Sequence, residues 1–149
     1  MNSHGLLAFF LSLLLLPLSG NAACFDEAAA RYRIPVDILR AISKVESSGK
    51  INAINVNKNG SKDLGHMQIN SSWLPTLKKY GITQENIMDP CINTHVGAWV
   101  LAGNIKRLGY NWDAIGAYNA VTPSKRQVYA RKIAAALNKN HSGKVNARF

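Results

Sequence analysis

Apolar residues in this chain recur mainly at the three- and four-residue spacing of an amphipathic helix, and the alternation typical of strands is rarer. The clearest apolar stripe follows Pro35 and consists of Ile38, Leu39, Ile42 and Val45. Proline suits the first turn of a helix and glycine its end, so Pro35 and Gly49 mark the limits of this helix. The pattern therefore predicts a mainly helical domain.

Start and stop residues predict the other helices. They are expected over Phe25 to Arg33, from Ser71 or Ser72 to Gly81, from Pro90 to Leu108, over Trp112 to Asn119 and over Pro123 to Leu137. Asp89 is the expected cap of the longest helix, because a short acidic side chain accepts a hydrogen bond from the free backbone N–H groups. The polar segment 50–65 predicts a loop, with a short β element as the alternative.

The helix from Pro90 to Leu108 is long enough to be central in a domain of this size. Its core face is expected to carry Val96, Trp99, Val100, Gly103 and Leu108. The residues after Leu137 are basic, and the segment 138–149 is expected to be a frayed tail.

The N-terminal segment has the layout of a signal peptide. An apolar run from Leu6 to Leu18 precedes the small residues up to Ala23, and the run is shorter than the roughly 20 residues that span a bilayer. We therefore expect residues 1–23 to be removed on export, leaving one domain over 24–137 without a transmembrane anchor. The segment departs from the usual layout because it has no Lys or Arg before the apolar run. Acylation of Cys24 is an alternative, although Asn21 replaces the apolar residue common in lipoprotein signals.

The formal net charge is +10, and all of it belongs to the part after residue 23. Such a charge favours an anionic partner, which includes nucleic acid, cell-wall polymer or an anionic membrane surface. Export favours cell-wall polymer or an anionic membrane surface over nucleic acid, and no nucleic-acid-binding motif is present. A merely solvated basic face is the other interpretation.

Cys24 and Cys91 are the two cysteines of the chain. An exported protein with an even number of cysteines favours a disulfide over two free thiols. A metal site is not expected, because there is no Cys-x-x-Cys and the histidines are scattered.

Glu46 stands out among the eight acids of the chain. Six others are expected at helix starts, caps or turns, namely Asp26, Glu27, Asp37, Glu85, Asp89 and Asp113. Glu46 follows Ile42 by four positions, beside the apolar stripe, where desolvation raises the pKa of a carboxyl and keeps it protonated as a general acid. The alternative is a surface position in which Glu46 pairs with Lys50.

Three short motifs follow one another: Glu46-Ser47-Ser48, then Gly65-His66-Met67-Gln68-Ile69-Asn70, then Ala117-Tyr118-Asn119-Ala120. Together they resemble the small lytic transglycosylases of the soluble-transglycosylase, goose-type-lysozyme-like class, especially those that accompany bacterial secretion and conjugation machines. The resemblance covers about Cys24 to Arg131. Two positions depart from the family pattern, since His66 replaces a common Leu and Val121 replaces a common Gly.

The resemblance implies a mainly α, lysozyme-like (α+β) domain with a cleft, monomeric and without a cofactor or metal. It implies a periplasmic or envelope enzyme that cleaves peptidoglycan between N-acetylmuramic acid and N-acetylglucosamine, with Glu46 as acid and then base and a 1,6-anhydro product. A secretion or conjugation component is the implied protein partner. Substrate contacts are implied for Ser47, Met67, Gln68, Tyr118 and Asn119, with the Tyr118 phenol and Asn119 facing Glu46. For Met67 and Tyr118, core packing is the alternative.

Asp63 is a second candidate carboxylate. If it reaches the cleft, it would stabilise a positive sugar or position water, which favours a hydrolytic muramidase as the alternative function. A turn residue before Gly65 is the other interpretation. His66 is expected to be a hydrogen-bonded structural histidine, with titration near the cleft as the alternative. A non-catalytic, cationic wall-binding assembly protein is the remaining alternative.

Overall fold

The computed structural model describes residues 23–146, with side chains up to residue 139. The helices in this part are α1 (Phe25–Tyr32), α2 (Val36–Ser47), α3 (Leu74–Leu77), α4 (Pro90–Leu108), α5 (Trp112–Gly116) and α6 (Pro123–Asn146). Short 3-10 turns over Ser71–Trp73 and Lys78–Tyr80 flank α3. The mainly α, lysozyme-like fold is confirmed. The predicted signal peptide, residues 1–23, lies outside the described residues except for Ala23.

A small antiparallel sheet adjoins the helices. Its strands are β1 (Ile54–Val56), β2 (Lys62–Leu64) and β3 (Ile69–Asn70), in the order β1-β2-β3. The extended pair considered for segment 50–65 is therefore present, and β3 adds a strand that the pattern did not predict. In the register of the sheet, Asp63 lies opposite both Asn55 and Asn70. The central strand thus places one carboxylate between two amides.

The end of α2 and the start of α4 follow the predicted chemistry, whereas the start of α3 does not, and α3 and α5 end earlier than predicted, at Leu77 and Gly116. Ser48 and Gly49 adopt left-handed backbone conformations after α2, and their N–H groups donate to the last carbonyls of the helix. The Asp89 side chain accepts from the Ile92 N–H at 2.9 Å, as predicted. The predicted serine cap is wrong, because the Asn70 side chain accepts from the Ser72 N–H at 3.0 Å and caps the 3-10 turn that precedes α3.

Helix α4 packs against α1, α2 and α5. Val96 is buried as predicted, but Trp99, Val100 and Leu108 are only half-buried and Gly103 is exposed. The buried positions include small and polar residues: Asn93, Thr94, Gly97, Ala98 and Asn104. The apolar stripe was a poor guide here, because a buried polar side chain is tolerated wherever it finds hydrogen-bond partners.

The two termini of the domain differ in how they match the predictions. The Cys24–Cys91 disulfide is confirmed and links residues 67 positions apart, joining the start of α1 to α4. At the other end α6 does not stop at Leu137 but continues to Asn146, so the frayed tail predicted from residue 138 is wrong for the described residues. Among the described helices, none is long and apolar enough to cross a membrane.

Candidate active site

A cleft of about 330 Å³ lies beside the sheet, at the C-terminal end of α2. Its polar lining consists of Glu46, Asn57, Asp63, Gln68, Asn70 and Asn119, and its apolar lining of Ile69, Trp73, Val100 and Tyr118. The cleft therefore collects residues from all three sequence motifs. A lining of amides, two carboxylates and aromatic rings suits a neutral, strongly hydrogen-bonding ligand such as a sugar.

Glu46 lies in the last turn of α2 and is held from the opposite side of the cleft. The Tyr129 hydroxyl of α6 donates to Oε1 of Glu46 at 2.5 Å, and the Asn119 amide donates to the same oxygen at 3.5 Å. Oε2 has no hydrogen-bond partner within residues 23–139. In the same residues no ion pair joins Glu46 to Lys50, so the surface alternative for Glu46 is wrong.

The surroundings of Glu46 favour its protonated form. Burial raises the pKa of this carboxyl above its ordinary value, and the nearby charge of Asp63 raises it further. The hydrogen bonds from Tyr129 and Asn119, together with the charge of Lys132, lower the pKa but do not cancel the rise. A carboxyl with a raised pKa is suited to donate a proton near neutral pH.

Asp63 is in strand β2 and lines the same cleft as Glu46, so the interpretation as a turn residue is wrong. Three amide groups hold its carboxylate. Asn70 donates to Oδ1 at 2.8 Å, while Asn57 and Asn55 donate to Oδ2 at 3.0 and 3.3 Å. The three amides hold this carboxylate in one position, and its charge acts on Glu46 in the same cleft.

Met67 does not contact the cleft through its side chain. The side chain is fully buried in the core, so the predicted sugar contact of Met67 is wrong and the core alternative holds. The Met67 backbone is nevertheless tied into the site. Its N–H donates to the buried Asn93 amide at 2.8 Å, and its carbonyl accepts from the Tyr118 hydroxyl at 2.8 Å.

Gln68 lies in the cleft with its backbone in the left-handed region, at a φ of 51°. Its side-chain amide donates to the Gly65 carbonyl at 2.8 Å. A non-glycine residue in this conformation is uncommon, and such residues persist where the surrounding contacts hold them. Here those contacts include the amide bond to Gly65.

Tyr118 occupies the position next to the acid without bonding it. Its hydroxyl donates to Met67, which corrects the expectation that this phenol binds Glu46. Its ring stacks on Tyr129, with the centroids 6.4 Å apart and the planes at 15°. Tyr118 therefore supports the ring of Tyr129, and burial raises the pKa of both phenols well above the usual range, so both remain hydrogen-bond donors.

Ser47 and His66 anchor the backbone behind the cleft. The Ser47 hydroxyl donates to the His66 carbonyl at 2.9 Å, and neither residue belongs to the cleft lining. Ser47 therefore holds the backbone of the Gly65 motif, and its substrate contact stays a prediction. The His66 ring is buried and bonded to Ser43 at 2.9 Å and to the Pro90 carbonyl at 3.1 Å, which is the structural role expected. Burial lowers the pKa of His66.

Residues 23–141 match the Transglycosylase SLT domain, which is most of the chain. The protein belongs to this family. It is 38% identical over 133 residues to Protein IpgF of Shigella flexneri. The aligned residues cover 89% of this chain and 88% of IpgF. It is 40% identical over 137 residues to Invasion protein IagB of Salmonella typhimurium, with 89% and 86% covered. X polypeptide of Escherichia coli is 41% identical over 116 residues, with 77% and 69% covered.

Membership of the SLT family makes this chain a lytic transglycosylase whose substrate is peptidoglycan. Three features of its cleft were missed by the sequence analysis: the phenol of Tyr129, the amides around Asp63, and the exposed ring of Trp73. One signal was available for Tyr129. It precedes Ile133 by four positions, and both residues are buried on one face of α6, so helical spacing would have placed Tyr129 inside the domain.

Proposed function

We propose that this lytic transglycosylase cleaves the bond between N-acetylmuramic acid and N-acetylglucosamine, with Glu46 as the single acid and base. The observation that carries this proposal is the environment of Glu46. The carboxyl is desolvated, its Oε1 is held by Tyr129, and its Oε2 has no partner among the described residues. An acid held at one oxygen retains the other for proton transfer to the substrate.

In the proposed reaction, protonated Glu46 donates its proton from Oε2 to the glycosidic oxygen as the bond to the muramoyl anomeric carbon breaks. The N-acetyl group of that sugar assists by stabilising the positive carbon. The ionised Glu46 then takes the proton of the muramoyl C6 hydroxyl, whose oxygen bonds the anomeric carbon and closes the 1,6-anhydro ring. The carboxyl ends protonated, as it began, and no water is consumed.

Asp63 contributes to this scheme as a fixed negative charge. Because both of its oxygens accept amide hydrogen bonds, it is better placed to stabilise a positive sugar than to form a bond with it. The alternative is a hydrolytic muramidase in which Asp63 and Glu46 share the work, and the position of Asp63 in the cleft is the observation that favours it.

Product analysis decides between the two reactions. Purified peptidoglycan digested by the protein is expected to give fragments ending in 1,6-anhydro-muramic acid, each lighter by one water than its hydrated counterpart. Mass spectrometry of the fragments, with and without borohydride reduction, measures the two kinds of end. Reducing ends alone would show a hydrolase and would overturn the transglycosylase chemistry.

The pH dependence of cleavage is expected to respond in opposite directions to two substitutions around Glu46. The charge of Asp63 raises the pKa of Glu46, so Asp63→Asn lowers that pKa and moves the alkaline limb of the pH–rate profile to lower pH. The Tyr129 hydrogen bond lowers the pKa of Glu46, so Tyr129→Phe moves the same limb to higher pH. Initial rates across the pH range measure both shifts.

Asp26→Asn is the matched control for these profiles. It removes one acid that is paired with Arg40 on the surface of α1 and lies outside the cleft. Its profile is expected to coincide with that of the wild type. A shift of both cleft variants in the same direction would contradict the assignment of the alkaline limb to Glu46.

We propose further that the enzyme acts in the periplasm or cell envelope and opens the wall locally for a secretion or conjugation apparatus. Its relative IagB is named an invasion protein, which supports a role beside an export machine. Cross-linking and pull-down with the Glu46→Gln protein, in cells that retain their wall, would identify such a component. Recovery in the cytosolic fraction would contradict this location.

A further inference from the structure

A second groove adjoins the cleft on the side of Trp73. We call it the Trp73 groove; it measures about 630 Å³ and is lined by residues that include Trp73, Trp99, Val100, Asn104, Lys106 and Arg107. Trp73, Val100 and Tyr118 line both the groove and the cleft. A ligand bound at Glu46 can therefore extend into the groove without leaving the surface.

Asn104, in the lining of the groove, has a side-chain donor that no group of the described protein pairs. The residue is 9% exposed, its Oδ1 accepts from Arg107 at 3.1 Å, and its Nδ2 is buried with no hydrogen-bond partner within the described residues. Leaving a buried donor unpaired is destabilising. Asn104 lines the groove, so a turn of its side chain would present this donor to a ligand that brings an acceptor oxygen.

The rest of the groove combines an apolar wall with positive charge. Trp73 is 38% exposed and packs edge-to-face on Trp99, with centroids 5.3 Å apart. Lys106 and Arg107 are exposed at the rim, and no carboxylate lines the groove. The cleft has charged residues of the opposite sign, since its lining contains Glu46 and Asp63 but no Lys or Arg. Charge thus separates the two sites.

We propose that the Trp73 groove binds the acidic peptide stem carried by the muramic acid of a strand whose sugars lie in the cleft. This inference rests on the proposed function. The sugars of peptidoglycan are neutral, whereas the stem carries free carboxylates, peptide carbonyls and small aliphatic side chains. Lys106 and Arg107 pair with its carboxylates, Asn104 Nδ2 donates to a carbonyl once its side chain turns toward the groove, and the two tryptophans cover its apolar parts.

Gly103 allows the groove to be closed without touching the cleft. It lines the groove, and a Cβ built there meets no atom within 4 Å. Gly103→Trp therefore places a large ring in the groove. We expect it to lower kcat/KM about tenfold on peptide-bearing peptidoglycan, the loss of roughly one charge-assisted hydrogen bond, and to have little effect on strands freed of peptide by an amidase.

Gly103→Ala adds only one methyl group. Its ratio of kcat/KM on peptide-bearing strands to that on peptide-free strands should equal that of the wild type. Thermal unfolding of both variants shows whether the fold is kept. An equal loss on both substrates would mean that the groove contacts sugar, and an unchanged preference in Gly103→Trp would mean that it contacts no stem. Either result overturns the proposal.

A binding experiment separates this inference from the cleavage reaction. A soluble stem peptide added to ¹⁵N-labelled Glu46→Gln protein is expected to shift the indole N–H signals of Trp73 and Trp99 but not that of Trp112, and Arg107→Gln should weaken binding about tenfold. These shifts would support the groove even if the wild type cleaved no glycan. No shift at millimolar peptide would overturn it while leaving the proposed function intact.

Discussion

Glu46→Gln is expected to lower the rate of peptidoglycan cleavage by about a thousandfold, within the range of a lost general acid and base. Glutamine keeps the size of the side chain and an oxygen that accepts from Tyr129, but it has no proton to donate at neutral pH. The domain should therefore stay folded and still bind the wall. Release of soluble muropeptides from purified peptidoglycan measures the loss.

Glu27→Gln is the matched control for this substitution. Its side chain is 72% exposed on α1, pairs with His95, and lies outside the cleft. Its cleavage rate should equal that of the wild type. Full activity in Glu46→Gln would remove the central role of Glu46 and assign the cleavage to another group of the cleft.

Gly65→Ala is expected to lower the free energy of unfolding by about 3 kcal/mol. Gly65 has a φ of +71°, and a left-handed conformation costs a residue with a Cβ about 1–2 kcal/mol. The new methyl group would also lie 2.4–2.6 Å from the Asn93 amide. That buried amide bonds the carbonyls of Leu64 and Ile87 and the Met67 N–H, and leaving such groups unpaired costs about 1–3 kcal/mol.

Gly60→Ala separates the two causes. Gly60 has a similar φ of +83°, but a Cβ there meets no atom within 4 Å, so only the backbone cost of about 1 kcal/mol is expected. Urea titrations of the two variants give the comparison. Equal losses would show that Asn93 moves aside freely. Activity should fall in Gly65→Ala alone, because Asn93 positions the backbone before Gln68.

Local signals predicted the helical part of the fold well. The stripe on α2, the cap at Asp89 and the stop at Gly109 depend on residues within a few positions of one another, so the sequence contains the whole interaction. The core face of α4 was predicted less well. There the buried residues include Asn93, and its partners at Leu64, Met67 and Ile87 come from outside the helix, so the spacing within α4 could not indicate its burial.

In the candidate site, too, some features were predicted from the sequence and others were not. The motifs correctly brought Glu46, Gln68 and Asn119 to one cleft. The motifs assigned the wrong phenol to the acid, because Tyr118 and Tyr129 stack and differ only in where each hydroxyl reaches. The motifs also could not show that the Met67 side chain lies in the core, because a sequence motif gives residue types and not the directions of side chains.

By itself, the sequence determined a helical, cationic domain with one desolvated carboxyl at the end of α2, since helical periodicity and composition are properties of neighbouring residues. Only the tertiary structure decided which groups act on that carboxyl. Tyr129 is 83 positions from Glu46 and reaches it because α6 packs on α2, and Asp63 lines the cleft because β2 pairs with β1 and β3. Such contacts depend on how separate elements pack together, and that is set by the whole core.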